Sequence, residues 1–267
     1  MLNYENSEFL TLEELKETTP SIFTKKGSSD TSKKYTHIPT DRVIKDLELL
    51  GWGVVDAKEV KARKGEGYQK HLVVFRNLDV VINGKDGDTV YPQILLTNSH
   101  DAKNSFQFQA GLFRMICENG LVIADEQFED YKIRHMGYDF ETLQGVIKDM
   151  IANLNLTVES MNKMKSIELN EEQQLELAKN LLDIRIEGTN NTYSQDQISE
   201  VNVPQRDEDM TNDLWTRFNV IQENIIEGNF LYDTIGGKSR QARVIKNFKQ
   251  DIDLNKKMFK AALEFVA

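Results

Sequence analysis

The sequence predicts an α+β protein: a helix, an antiparallel β-meander and a packed helix as the N-terminal core, followed by an all-helical C-terminal part. Three observations carry this. Residues 52–99 hold β-rich runs broken by two glycine-containing turns, Lys64-Gly65-Glu66-Gly67 and Asn83-Gly84-Lys85-Asp86-Gly87-Asp88, the pattern of strands joined by hairpins. Beyond Tyr138 the apolar residues recur at helical spacing. With 267 residues, 39% hydrophobic and 28% charged, the chain can bury one large core, or one core with a helical appendage. Three segments follow: residues 1–36 as helix and linker, 37–137 as the α+β core, and 138–267 as the helical region.

Leu12 and Leu15 suggest a short helix running to Pro20, and the stretch TKKGSSDTSKKYT at 24–36 reads as a Ser/Thr/Lys-rich loop. After Pro39 and Thr40, Val43, Leu47 and Leu50 recur at helical spacing, and Gly51 supplies a C-cap. Strand character then covers Trp52–Arg63, Tyr68–Ile82 and Thr89–Ser99. Phe106, Ala110, Phe113 and Cys117 fall on one stripe of a helix predicted over residues 107–119, which Asn119-Gly120 would end. Short strands are expected in Leu121–Ala124 and Phe128–His135. Phe140, Leu143, Ile147, Leu154, Val158 and Met161 form a long helical stripe, and Asn170 with Gln173 resembles a capping box for a helix over 171–186. Polar residues 188–208 read as a loop. Helices follow around Leu214–Ile225 and Leu254–Phe265, with a Gly/Lys-rich connection at 229–241.

The net charge is −10, which argues mildly against indiscriminate polyanion binding. Its distribution is uneven. Residues 166–210 carry 11 acidic and 3 basic side chains, whereas 238–260 carry 8 basic and 2 acidic, so one side of the molecule can face a polyanion. A single cysteine excludes an intramolecular disulfide and fits a reducing compartment. The start, MLNYENSEFLTLEEL, has neither a basic nor an apolar signal region, and no apolar run approaches the length of a membrane span. The expected location is the cytoplasm of a host cell.

Asn98, Ser99, His100 and Asp101, at the end of an apolar strand, invite a catalytic reading with Cys117 or His135. On an apolar stripe, however, Cys117 is a buried small hydrophobe with a raised pKa. The tetrad reads instead as a polar turn whose side chains bond backbone groups, with Asn119 and Gly120 as a second structural motif. The four histidines (37, 71, 100, 135) show no metal-ligand spacing, so neither metal nor cofactor is expected. Gly237-Lys238-Ser239 looks like the tail of a phosphate loop, but Tyr232 stands where that loop needs glycine. What remains is a basic-leaning set around the meander: Arg63, Lys64, Tyr68, Lys70, Arg76, Lys103 and Arg114. Cations neutralise phosphates and tyrosine offers a face to an unpaired base; Arg114 could instead hold Asp101.

The segments PSIF, IPTDRVIKDLELLGW, PQILLTNSHDAKNSFQFQAGLFRMICENGLVIAD, IRHMGY and LWTRFNVIQENIIEGNF, with the terminal GGKSRQARVIKNFKQDIDLNKKMFKAALEF, resemble the phage/plasmid-like protein family, domain of unknown function family 932. The resemblance implies a mobile-element origin and no particular activity. A weaker similarity concerns order of elements: a helix ending in Gly-Trp, a meander, then a helix with Gly-Leu-x-Arg is similar to the core of the RecT-like and Redβ-like annealing proteins. It implies single-stranded DNA as partner, assembly into homo-oligomeric rings or filaments, and no ATP. The sequence therefore points to a non-catalytic protein that binds, and at its furthest anneals, single-stranded DNA. The rival readings are an interaction factor engaging a host or phage protein through the acidic helical part, and a Cys/His enzyme.

Overall fold

The structure is a computed structural model, describing residues 9–31, 35–61, 67–83, 89–104, 106–114, 119–122, 131–133 and 139–266. It divides into two compact bodies, one of residues 1–121 and 126–154, the other of 122–125 and 155–267.

In the first body, α1 (Leu12–Thr18) opens on a capping box between Thr11 and Glu14 and runs into a 3₁₀ turn at Pro20–Phe23. Helix α2 (Thr40–Glu48) buries Val43, Ile44 and Leu47. It ends where Gly51 takes φ +84° and Trp52 N–H reaches back to the Leu47 carbonyl at 3.0 Å. This closure needs a residue tolerant of the left-handed region.

The sheet has seven strands among the described residues: β1 (Gly53–Glu59), β2 (His71–Arg76), β3 (Ile82–Asn83), β4 (Thr89–Asn98), β5 (Phe106–Arg114), β6 (Asn119–Val122) and β7 (Tyr131–Ile133). The main order is β1-β2-β4-β5-β6, with β3 paired to β4 and β7 to β5. Strands β1 to β5 and β7 pair antiparallel, with His71 opposite Asn98, Arg76 opposite Gln93 and Leu96 opposite Phe108. The meander and α2 thus stand as the sequence predicts. All six residues of β2 are buried, so that strand is covered on both faces rather than on one.

One element is corrected. Residues 106–114 form a strand, not a helix. The same stretch holds two periods: Phe106-Ala110-Phe113 at helical spacing, and Phe106-Phe108-Ala110-Leu112 at spacing two. The second wins because β4 is buried from Pro92 to Asn98 and needs a partner for its backbone groups on the side away from β2. Strand β5 supplies it over eight residue pairs. Asn119 and Gly120 accordingly open β6 instead of capping a helix. The expected strands near Leu121 and Phe128 correspond to β6 and β7. Cys117 and His135 lie outside the described residues.

Helix α3 (Phe140–Lys165) follows as the stripe predicts, and the boundary between the bodies falls within it. In the second body, α4 (Glu171–Ile186) starts on the expected Asn170–Gln173 capping box. The predicted loop at 188–208 is partly helical: α5 (Gln195–Val201) opens on a Ser194–Gln197 capping box, and a 3₁₀ turn spans Asp207–Asp209. Helix α6 (Leu214–Glu227) is the centre, with Trp215, Phe218, Ile221 and Ile225 buried; the Phe218 ring meets Phe259 edge-on at 5.8 Å. The connection at 229–241 is a hairpin of β8 (Leu231–Asp233) and β9 (Ser239–Gln241), so this region is helical with one hairpin rather than all-helical. Helix α7 (Phe248–Leu263) closes it, capped by Asn247. Among the described residues no helix is long and apolar enough to cross a membrane.

Candidate functional site

The Asn-Ser-His-Asp corner ends β4 inside a buried polar network. Asn98, Ser99, His100, His71, Thr40 and Ser21 are all fully buried. His71 lies between two hydroxyls, with Nδ1 3.0 Å from Ser21 Oγ and Nε2 2.9 Å from Thr40 Oγ1. Nδ1 also lies 3.2 Å from the Gln69 carbonyl, which can only accept. The proton therefore sits on Nδ1, and Thr40 donates to Nε2. Thr40 Oγ1 in turn accepts from Asn98 Nδ2 at 3.0 Å, and Asn98 Oδ1 takes the Ser99 N–H at 2.8 Å. Burial pushes His71 down to about 4, opposed only by the Gln69 carbonyl, so the imidazole is neutral at pH 7. The His37 and His71 rings stand 4.5 and 5.3 Å from His100.

A hydroxyl bonded to a histidine is half of a nucleophile–base pair. Here the far side of the ring meets a carbonyl and a serine rather than a carboxylate, and every member is closed to solvent. The network's evident work is to tie the 3₁₀ turn, the start of α2, β2 and β4 together. Among the described residues no group of three or more His, Cys, Asp or Glu is arranged to hold a metal.

Asp101 behaves as a turn residue. Its Oδ1 accepts from Ser99 Oγ at 2.8 Å and from the Lys103 N–H at 3.1 Å. The next residue, Ala102, takes φ +58°, a conformation that alanine adopts reluctantly. Burial first, and the Asp101 charge second, push the Tyr35 phenol up to about 12.

Among the described residues, the predicted cations stand at both ends of β2 and at the end of β5. Arg63 and Lys64 lie outside the described residues. Tyr68 and Lys70, half-buried, precede β2; the Tyr68 carbonyl accepts the His100 N–H at 3.3 Å. Lys103 is exposed near that end and lies 3.5 Å from Asp101. Arg76 is at the other end of β2, only 5% exposed, its guanidinium over the Tyr91 ring at 5.5 Å. Arg114 ends β5 opposite Val90.

A second group, not singled out residue by residue in the sequence, lies in the second body. A cavity of about 430 Å³ is lined by Arg185, Thr189, Asn191, Tyr232, Arg240 and Arg243, among others, with no carboxylate residue in its lining. The hairpin positions it. Thr192 and Asp233 exchange backbone bonds of 2.9 and 2.8 Å, and Ala242 N–H bonds the Phe230 carbonyl at 2.9 Å. Gly228, at φ +77°, lets α6 end against this strand: a Cβ there would stand 2.8 Å from the Ala242 carbonyl oxygen. Arg185 on α4 donates from its terminal nitrogen to the Arg243 carbonyl at 3.1 Å, and its Nε–H is buried without an acceptor. The signal in the sequence was the basic run 238–260; Arg185, inside the acidic run, carried none.

The model of the family described as "Domain of unknown function (DUF932)" matches residues 29–259. The chain belongs to the DUF932 family. Among its relatives are the UPF0380 proteins YafZ and YfjQ of Escherichia coli strain K12, each 31% identical over 255 residues, covering 94% of this chain and 89% of the relative. No solved structure matches significantly. This DUF932 chain carries its Gly-Leu-x-Arg segment on strand β5, so the order of elements behind the likeness to annealing proteins is not the order it has. The family match spans Thr40, His71 and Asn98 of the buried network, though not Ser21, and all of the residues named around the arginine-lined cavity.

Proposed function

We propose that the protein binds single-stranded DNA without catalysis, through the hairpin side of its second body. The observation that carries the reading is a row of exposed, unpaired cations in a chain of net charge −10. Lys238, Arg240, Arg243 and Lys246 are exposed, and among the described residues no carboxylate pairs with them. Other exposed lysines are mixed. Lys16, Lys25, Lys103, Lys179 and Lys257 each lie within 4 Å of an acid, whereas Lys26, Lys45, Lys61, Lys148, Lys163 and Lys249 are exposed with no ion pair among the described residues. The hairpin cations are distinguished by following one another between residues 238 and 246. Cations left unpaired along an exposed strand suit a phosphate backbone, and Tyr232 beside them offers a stacking face. The closure of the His71 network to solvent supports the non-catalytic half of the reading. Pairing of complementary strands on this surface is the furthest extension of the proposal.

A fluorescent oligonucleotide, single- and double-stranded, titrated across a salt series tests it. Four cations acting together give a slope of log K against log[salt] of about −3, and each Ala substitution flattens it by about 0.7. A folded protein that binds no oligonucleotide at micromolar concentration in low salt overturns the proposal. The rival, a protein partner engaged through the acidic part, draws on Val203 and Met210, exposed to 52% and 64% beside that acidic run; a salt-insensitive protein complex would favour it.

A further inference from the structure

The cavity beside the hairpin asks for more charge than a continuous DNA backbone supplies. Three guanidiniums, Arg185, Arg240 and Arg243, line it with no carboxylate, and none of the three forms an ion pair among the described residues. A phosphodiester brings one negative charge, whereas a phosphomonoester brings about 1.5 to 2 at neutral pH. Planar guanidinium forks match the oxygens of such a group two at a time.

Arg185 adds a second, independent observation. Its buried Nε–H has no acceptor, while the terminal nitrogen is already committed to the Arg243 carbonyl. A buried donor left open costs about 1–3 kcal/mol, which an anionic oxygen would recover once the edge of the guanidinium turned toward the cavity. The guanidinium does not need to be recruited: α4 and the backbone of residue 243 already hold it. The β8–β9 pairing likewise holds Tyr232 opposite Arg240, so an aromatic ring lines the same space as the cations. The volume, about 430 Å³, lies within the range of small-ligand pockets.

We infer that this cavity takes a nucleoside monophosphate, either free or as the phosphorylated end of a DNA strand, its phosphate on Arg185, Arg240 and Arg243 and its base against Tyr232. The inference rests on the nucleic-acid reading above and assigns the strand end to a particular pocket.

Binding to the full chain is measured with internally labelled single-stranded oligonucleotides carrying a 5′-phosphate, a 3′-phosphate or only hydroxyl ends. dAMP and inorganic phosphate serve as separate titrants. A phosphorylated end should bind at least tenfold more tightly than the hydroxyl form, and dAMP should abolish that preference. Arg185→Gln should remove the preference while leaving affinity for the hydroxyl form unchanged, with Arg185→Lys behaving like Gln because it lacks the fork. If Arg185→Gln does not fold, dAMP competition on the unaltered protein decides. Binding of dAMP without an end preference supports the pocket and identifies the free nucleotide as its source. Equal affinity for all oligonucleotides with no dAMP binding overturns the inference and leaves the DNA reading standing. Binding of dAMP without any oligonucleotide overturns the DNA reading and leaves the pocket. Inorganic phosphate matching dAMP overturns the role given to Tyr232.

Discussion

Replacing His71 with glutamine should remove most of an acid sensitivity built into the first body. The folded imidazole is pushed from 6.5 down to about 4 by complete burial. Above pH 6.5 it is neutral in both states and contributes no pH dependence. Between 6.5 and 4 the unfolded chain takes up the proton and the folded chain does not, so stability falls as pH falls through that window. At about 1.36 kcal/mol per pKa unit, the whole loss is about 3.4 kcal/mol, of which about 2.5 kcal/mol has accrued by pH 4.5. Urea denaturation at pH 7.5 and 4.5, on the unaltered chain and on His71→Gln, measures the double difference. Carboxylates and the other histidines titrate in both proteins and cancel to first order. Glutamine keeps a donor and an acceptor for Ser21 and Thr40, so the variant should remain folded at pH 7.5. Equal losses in the two proteins would refute the buried neutral imidazole.

Three further outcomes follow from the same structure. Asn98→Ala strips the Ser99 N–H of its acceptor and Thr40 of its donor, which should cost about 2–4 kcal/mol; an unchanged urea midpoint would contradict the network. Gly228→Ala should lose about 1–2 kcal/mol to the left-handed backbone alone, and more as Ala242 is displaced, with dAMP affinity falling alongside. Asp56 is held above the usual carboxylate range chiefly by burial, against the lowering pull of Lys58. Its folded form therefore keeps a proton that the unfolded form gives up, and stability contributed there is lost as pH rises past the unfolded value. Asp56→Asn should raise the melting temperature at pH 7.5 and flatten that trend; a lower melting temperature at pH 7.5 would reverse the assignment.

Local signals were the legible ones. The Asn170–Gln173 box and Gly51 after α2 each report a constraint satisfied within a few residues, and each stands where the sequence puts it. Of the glycine turns of the meander only Gly67 and Asn83 are among the described residues. The same rule explains α5: Ser194 and Gln197 form the capping box seen at Asn170, but the surrounding polar stretch has too few apolar residues to show a stripe. Strand β5 was misread for a different reason. Its residues satisfy two periods, and the choice is made by β4, whose unpaired edge lies elsewhere in the chain. The His71 network is half visible in the sequence: Asn98 to Asp101 read as a polar turn, and Asp101 does bond the Lys103 backbone. Nothing local linked them to Ser21 or Thr40.

The arginine-lined cavity shows why a linear tally of charge misplaces a site. Read along the chain, Arg185 belongs to the acidic run 166–210, whose summed charge repels nucleic acid. Helix α4, however, packs along α7, and its last turn comes up beside the hairpin. There Arg185 bonds the carbonyl of Arg243, 58 residues away. The nearest acids, Asp183 and Glu187, are engaged by Lys179 with Tyr193 and by Lys257, while Glu171, Glu172 and Glu176 lie in the first two turns of the same helix, about 14–21 Å from Arg185 at 1.5 Å per residue. At physiological salt that is beyond a screening length of about 8 Å. One helix can therefore be acidic at its head and deliver a cation at its tail, and the sign of each end is set by where the fold puts it rather than by the segment's sum.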